Sequence, residues 1–414
     1  MAAIANRTGS RALVEELHAA RDESDRLFRV VKPEATYDRP IDARHRTIFY
    51  IGHLDGFDSI QICREGLGIN SRDPRLDDLF QAGIDPDSAH LPTDTPADWP
   101  SLDQVSSYVS RCRASVDQHL AHAPEDVVWM AVEHRLMHLE TLAYMFHNLP
   151  HRLKSAPAEY ADRPEGSTNH SNTWCTIPAG EAVLGKNEDG CFGWDNEYGQ
   201  SRCHVPAFKI QRYSVTNGEY LRFLEHGAPM PHFWVRRGNT IYYRGMFEDF
   251  PLPLDWPVYV TQAQAQSYAD WLGKALPTEA QFHRAAYGSP ERGQRQYPWG
   301  DAVPTPAHGN FNFWRWEPEP VYATPAGDSA FGVSQLTGNA WQWTSTAFGP
   351  FPGFKPRETY AGYSANFFDG EHYVMKGASS RTAARLLRRS FRNWFRRDYP
   401  YTYATFRCVE NENE

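Results

Sequence analysis

Residues 124–149 read PEDVVWMAVEHRLMHLETLAYMFHNL and are followed by Pro150. Proline is tolerated in the first turn of a helix and disfavoured inside it, so Pro124 and Pro150 mark the ends of a predicted helix. His134 and His138 are four residues apart, which puts both imidazoles on one face, one turn apart. The surrounding residues are largely apolar, so the helix should be buried. Buried histidines need polar partners or a metal ion.

Three more helices are predicted in the first 155 residues. Apolar positions recur at helical spacing over 11–30, a second helix is expected over 48–65, and Ser101 caps a third over 101–120. The Asp- and Pro-rich stretch 71–100 is predicted to be a loop. Four long helices indicate a four-helix bundle over residues 1–155, an architecture that often holds metal between facing helices.

A third imidazole is available on the second predicted helix. His53 lies in YIGHLDGFD, and His45, two turns earlier, competes for the same role. Two histidines four apart are more often ordinary core or surface residues than ligands, so the pair alone is weak evidence. Three neutral imidazoles with open positions suit Zn, Fe, Cu or Ni, and the residues alone leave the metal open.

Helical periodicity mostly disappears after a polar stretch over 156–172, which we interpret as a linker. The rest, residues 173–414, is rich in aromatic residues broken by Gly and Pro, which indicates short strands, turns and ring packing. Three short helices are expected there, over 216–226, over 261–273 and within LPTEAQFHRAAYG (276–288). The fold class is therefore predicted to be α+β, with two domains.

The composition excludes several classes of function. A formal net charge of −9 argues against nucleic acid or an anionic membrane as partner. No apolar run is long enough to span a bilayer and no signal-peptide core is visible, so a cytoplasmic protein is expected, with its six cysteines as free thiols. The arginines near the C-terminus are interpreted as internal ion-pair partners or as contacts for a substrate carboxylate; they are Arg381, Arg385, Arg388, Arg389, Arg392, Arg396 and Arg397.

Motifs in both predicted domains resemble known families. In the second domain the motifs are VPAFKIQRYSVTNGEYLRFL (205–224), LPTEAQFHRAAYG (276–288), YPWGD (297–301), GNFNFW (309–314), LTGNAWQWTST (336–346) and SFRNWFRRDYPYTYATFR (390–407). Together they resemble the formylglycine-generating enzyme, a variant of the C-type-lectin fold. That enzyme's cysteine pair is missing here, so its activity is not expected. The first domain, with HRLMHLE at 134–140, resembles the DinB-like bundles.

This bundle joined to this lectin-like domain resembles the sulfoxide synthases of ergothioneine biosynthesis. The resemblance implies O2-dependent attachment of a sulfur donor to the imidazole of hercynine, with Fe(II) held by His53, His134 and His138. It also implies that Tyr360, or failing that Tyr363, is a catalytic proton or electron donor.

The same resemblance suggests substrate-binding residues. Asn393 and Trp394 match the family's hercynine-binding loop, where the trimethylammonium group would meet aromatic rings. Phe395 stands where many bacterial members carry Asp. Met137 stands where ergothioneine synthases commonly carry Gln, and a packing role is the simpler interpretation of it.

The donor is predicted from a missing feature. Members that use γ-glutamylcysteine carry an arginine pair in a loop that corresponds here to DDLFQAGIDPDSAHLPTDTPADWPS (77–101), which has no arginine and several acids. The absence of the arginine pair fits the selenoneine synthase branch, which joins a selenosugar to hercynine through a C–Se bond. The alternative is a sulfoxide synthase that uses cysteine or γ-glutamylcysteine. Two further classes, a divalent-metal thiol transferase and a non-catalytic binding module, remain as competitors.

Overall fold

The computed structural model describes residues 10–81, 91–158, 160, 172–291 and 293–411. The chain divides into two compact units, residues 1–159 and residues 160–414. Helices make up the first unit and short strands dominate the second, so the predicted α+β class is confirmed. Most of the predicted linker 156–172 and residues 82–90 of the acidic loop lie outside the described residues.

The first unit contains the four long helices that the sequence predicted. Its helices are α1 (Ser10–Phe28), α2 (Thr47–Asp58), α3 (Pro74–Gln81), α4 (Leu102–His119) and α5 (Glu125–Asn148). Helix α1 packs along α5, and α2 packs along α4. The Ser101 side chain accepts a hydrogen bond from the backbone amide of Gln104, and the Gln104 side chain accepts one from the backbone amide of Ser101. The predicted cap of α4 is therefore a capping box.

The stretch 71–100 was predicted to be a loop, and this prediction is wrong over α3. Leu76 and Phe80, one turn apart, are both buried against the bundle, and Asp77 accepts a hydrogen bond of 2.7 Å from the Tyr108 hydroxyl. Tertiary contacts of this kind stabilise an eight-residue helix that its local sequence would not hold. The second predicted helix, over 48–65, is present as α2 followed by a segment over Ser59–Glu65, whose π-helical geometry was not predicted.

The second unit is a set of small sheets with three short helices. Its strands are β1 (Trp174–Ile177), β2 (Gly180–Leu184), β3 (Ser201–Val205), β4 (Phe208–Gln211), β5 (Trp234–Arg237), β6 (Thr240–Arg244), β7 (Asp249–Pro251), β8 (Ala340–Ala347), β9 (His372–Ala378), β10 (Asn393–Arg396), β11 (Ala404–Thr405) and β12 (Val409–Asn411). The sheets have the orders β1-β4-β12, β10-β9-β8-β11, β2-β3 and β5-β6-β7. All pairings are antiparallel except β11 with β8.

The helices of the second unit are α6 (Asn217–Glu225), α7 (Gln262–Trp271) and α8 (Glu279–Tyr287). Each begins with a capping box on a threonine, at Thr216, Thr261 and Thr278. Phe282 of α8 is fully buried in a core that also contains Ile210 of β4. Among the helices of the described residues, none is both long enough and apolar enough to cross a bilayer.

Candidate functional site

Three histidines meet inside the first unit. His53 of α2 and His134 and His138 of α5 each offer a ring nitrogen, and these atoms lie within 4.8 Å of one another. His53 and His134 are buried, whereas His138 is partly exposed. His45, the competing candidate, is outside this cluster and stacks on Phe49 with 3.9 Å between ring centroids. This cluster, called the histidine pocket below, is therefore buried at His53 and His134 and partly exposed at His138.

Hydrogen bonding and ring stacking fix two of the imidazoles. The Nδ1 of His53 lies 2.6 Å from the carbonyl oxygen of Phe80, an acceptor, so Nδ1 carries the proton and Nε2 keeps its lone pair. The ring of His53 stacks on Phe49 at 4.9 Å, and the ring of His134 stacks on Phe57 at 3.5 Å. These partners hold the ring planes before any ligand arrives.

Two glycines in α2 make this arrangement possible. A Cβ at Gly52 would lie 2.6 Å from the ring of Phe80, and a Cβ at Gly56 would lie 2.8 Å from the Tyr108 hydroxyl. Glycine in a helix interior costs about 1 kcal/mol relative to alanine. At these two positions the absence of a Cβ lets α3 and α4 approach α2, and it brings the Phe80 carbonyl to His53.

All three imidazoles are neutral at physiological pH. Burial lowers the pKa of His53 to about 4 although the hydrogen bond to the Phe80 carbonyl opposes the shift, and charges on His45 and Arg135 also lower it. Burial also lowers the pKa values of His134 and His138 well below the usual range, and neighbouring positive charges act in the same direction. Neutral imidazole is the form that binds a metal ion.

The geometry fits a metal centre. The Nε2 atoms of His53 and His138 are 3.2 Å apart. Metal–nitrogen bonds of about 2.0–2.1 Å would put two ligands about 3.0 Å apart at right angles and about 3.4 Å apart in a tetrahedron. The observed distance lies between these values. Three neutral nitrogen ligands suit Fe(II) and also Zn, Cu and Ni, so these residues could hold a divalent transition metal, and their chemistry does not select one.

A buried ion-pair network lies beside the histidines. Arg135, which follows His134 in α5, donates to Asp55 at 2.8 Å, to Asp58 at 2.7 Å and to the Ser24 hydroxyl at 2.9 Å. Arg135 and Asp58 are fully buried, and Asp55 is almost so. Burial raises the pKa of Asp58 even though Arg135 opposes the shift, whereas the pKa of Asp55 is lowered because arginine charges outweigh its burial. The network joins α1, α2 and α5 around the histidine pocket.

The predicted catalytic tyrosines lie in an aromatic cluster of the second unit. The ring of Tyr363 stacks on Trp194 at 4.0 Å, and Tyr360 meets the edge of the same indole at 6.4 Å. Trp394 of β10 packs at 5.4 Å from Tyr363 and stacks on Phe348 at 4.1 Å. Burial raises the pKa of Tyr360 to about 12, so its phenol keeps its proton at neutral pH.

Sequence reasoning missed the turn that carries Trp194. The loop bearing both tyrosines is tied to this turn by Ser364, which donates to Asp195 at 2.5 Å, and by Arg357, which donates to the Gly193 carbonyl at 2.9 Å. Trp194 itself is almost fully buried. The motif GWDNEYG (193–199) was the signal available, since a tryptophan between turn residues is a packing anchor.

The other predicted substrate-binding residues do not share one environment. Phe395 follows Trp394 on β10, and its ring stacks on Tyr399 at 4.7 Å, on the opposite face of the strand from the tyrosine cluster. The Asn393 side chain accepts from the backbone amide of Trp394 at 2.9 Å. Met137 is half-buried on α5 directly before His138. The structure thus brings Trp394 together with the tyrosines, and it places Phe395 elsewhere.

Comparisons with known proteins support the resemblance of the second domain and that of the whole chain to ergothioneine biosynthesis proteins. Residues 160–412 match the sulfatase-modifying factor enzyme 1-like domain. The chain is 35% identical to a hercynine oxygenase of Mycolicibacterium thermoresistibile over 81% of this chain and 80% of that protein, and 30% identical to the hercynine oxygenase of Mycolicibacterium smegmatis over 96% and 97%. It is 28% identical to ergothioneine biosynthesis protein 1 of Neurospora crassa over 91% of this chain, but it spans only 55% of that longer protein. The chain therefore belongs to the hercynine oxygenase family, and its second unit is a sulfatase-modifying factor enzyme 1-like domain.

Proposed function

We propose that this chain is an oxygenase that uses O2 to join a chalcogen donor to the imidazole ring of hercynine, with Fe(II) held by His53, His134 and His138. One observation carries the proposal: neutral imidazoles converge in a buried pocket of a chain whose relatives are named hercynine oxygenases. Three ring nitrogens within 4.8 Å of one another support a shared metal ion, and burial keeps these imidazoles in the neutral form that binds it.

Bound Fe(II) would activate O2 and keep positions open for substrates. The chain's own residues orient the metal ligands and exclude water from them. The Phe80 carbonyl fixes the tautomer of His53, while Phe49 and Phe57 shield the histidines from water. These restraints hold the three nitrogens in position, so little reorganisation is needed when substrates bind.

Two further roles are proposed in the second unit. Trp394, half-exposed and supported by Phe348 and Tyr363, offers a ring face or edge to the trimethylammonium group of hercynine. Tyr360 supplies a proton from a phenol that burial keeps protonated. Tyr363, stacked on Trp194, is the second candidate for that proton.

Relatives favour a sulfur donor over the selenosugar expected from the sequence. Proteins named for ergothioneine biosynthesis cover most of this chain, so a sulfoxide synthase reaction with cysteine or γ-glutamylcysteine is the first candidate. A selenosugar is the second candidate, and one structural observation favours it. The guanidinium groups of Arg39 and Arg46 are both engaged by Asp94 of the acidic loop, which favours a donor without carboxylates.

The test is a product assay on the full chain. Protein reconstituted anaerobically with Fe(II) is supplied with hercynine, O2 and one donor at a time: cysteine, γ-glutamylcysteine or selenosugar. Mass spectrometry then identifies any product that contains both the imidazole and the chalcogen. The variant His138→Ala should abolish the product and His45→Ala should keep it. Absence of a coupled product from every donor, in iron-loaded protein, would contradict the proposed function.

A further inference from the structure

A carboxylate of the acidic loop is bound by two arginines from the segment before α2. Arg39 donates to Oδ1 of Asp94, and Arg46 donates through Nε to Oδ2 at 2.9 Å. The indole of Trp99 adds a third donor to Oδ2 at 2.7 Å. Burial opposes the charge on Asp94, yet these hydrogen bonds hold its pKa at about 2. Asp94 is therefore a carboxylate in a fully formed anion site.

The two guanidinium groups are held by contacts that do not involve the Asp94 side chain. Arg46 donates to the Tyr37 carbonyl at 2.8 Å, and Arg39 donates to the Arg44 carbonyl at 3.3 Å. Their side chains are only 14% and 10% exposed, so burial also restricts them. Fixed, converging guanidinium groups are the usual protein site for a carboxylate, because their N–H donors match its two oxygens.

This site is close to the histidine pocket. The ring of Trp99 meets the edge of Phe49 at 6.0 Å, and Phe49 stacks on His53 at 4.9 Å. Trp99 also packs at 6.4 Å from Phe80, whose carbonyl binds His53. A single aromatic ring thus separates the anion site from a predicted metal ligand.

We infer that Arg39 and Arg46 form a carboxylate-binding site and that Asp94 fills it from within the chain. A donor that carries carboxylates gains no ion pair there, because its anionic groups would have to displace an internal one. Asp94 would then be a specificity-determining residue that disfavours carboxylate-rich donors. This second part rests on the proposed function, whereas the carboxylate site does not.

The site is tested first without turnover, in the variant Asp94→Ala. Acetate should raise the melting temperature of Asp94→Ala above the value in sodium chloride of equal ionic strength, because it refills the site. Wild-type protein should show no such difference. The matched control is Asp98→Ala, which removes the same charge from the same loop. Asp98 is exposed and accepts from Thr95, so its variant should not respond to acetate.

The site can still be tested if the variant Asp94→Ala folds poorly. If Asp94→Ala is soluble only when acetate is present, that rescue supports the site. The variant Asp94→Ser, which keeps a short acceptor for Trp99, provides a second protein for the same titration. Equal responses of the Asp94 and Asp98 variants to acetate would overturn the inference.

Donor selection is tested separately with iron-loaded protein. Relative to wild type, Asp94→Ala should lower the KM for γ-glutamylcysteine about tenfold, the effect of one charge-assisted hydrogen bond. The KM for a donor without carboxylates should not change. An unchanged ratio of the two KM values would remove Asp94 from donor selection. If no donor is coupled to hercynine, the proposed function fails, and the acetate result still decides whether the site exists.

Discussion

Replacing Arg135 by methionine should destabilise the first unit strongly, because it leaves a buried carboxylate without its main partner. Arg135 is the closest cation to Asp58, at 2.7 Å, and the next one, Arg21, is 3.7 Å away. Asp55 is better protected, since Arg113 also contacts it at 3.0 Å. Removing one partner from a buried ion pair costs about 3–5 kcal/mol, because the other charge stays buried and uncompensated.

That free energy corresponds to a fall of roughly 6–20 °C in the melting temperature of a unit of this size. The assay is thermal unfolding of the full chain followed by helical circular dichroism, which reports mainly on the first unit because the long helices are there. The matched control is Arg113→Met. Arg113 contacts Asp25 and Asp55, but its side chain is 27% exposed, so its loss should cost about 1 kcal/mol.

The effect should also depend on pH. The folded pKa of Asp58 is already raised, and loss of Arg135 raises it further, so the folded state of the variant holds a proton that the unfolded state releases. Stability of Arg135→Met relative to wild type should therefore fall as the pH rises from about 4, the pKa of an unfolded Asp, through the raised pKa of folded Asp58. The added change Asp58→Asn should recover much of the loss. Equal costs for Arg135→Met and Arg113→Met, with no pH dependence, would refute this reasoning.

Three other predictions follow from the site. His134→Ala and His138→Ala should lose tight Fe(II) binding while His45→Ala keeps it, measured by metal content after dialysis; equal retention by all three would exclude the histidine cluster as the iron site. Metal-free protein should lose thermal stability as the pH falls from about 6.5 towards 4, because the unfolded state binds protons that the folded histidines exclude. Bound metal should raise the melting temperature without removing this pH dependence, because metal-bound imidazoles exclude the same protons. Tyr360→Phe should divert turnover from coupled product to oxidised donor, measured as the product ratio by mass spectrometry. Tyr363→Phe serves as its comparison, and the same ratio in wild type and Tyr360→Phe would remove Tyr360 from proton delivery.

The long helices of the first unit were predictable because their signals are local. Pro124, the Ser101 capping box and the apolar spacing along α1 each act within a few residues, and the structure has helices at all three places. The threonine caps at the three short helices of the second unit are equally local. Helix α3 was missed although Asp73 caps it by accepting from the Leu76 amide, because a helix of eight residues is not stable on local signals alone. Its buried residues contact α2 and α4, which are distant in sequence.

The candidate site was only partly predictable, for a related reason. Spacing within one helix identified His134 and His138, but the identity of the third histidine depended on the resemblance to a family. The Phe80 carbonyl and the Phe57 ring could not be found, because each acts through packing between separated segments. The acidic loop shows the same limit. Its lack of an arginine pair favoured a selenosugar donor, but the sequence did not show that Asp94 of this loop is an ion-pair partner of Arg39 and Arg46 outside it.

The glycines of α2 show how such a site could be recognised from sequence. Gly52 and Gly56 lie on either side of His53, one turn apart, within a helix of twelve residues. Each weakens the helix by about 1 kcal/mol, so local propensity argues against both. A residue that destabilises its own helix is usually compensated by a favourable tertiary contact or by a functional role. Here the gain is the close approach of Phe80 and Tyr108, which fixes the tautomer of His53 through the Phe80 carbonyl. Gly52→Ala should therefore displace Phe80 and weaken iron binding even though alanine is the better helix former, whereas unchanged iron affinity would show that the histidines do not depend on α3.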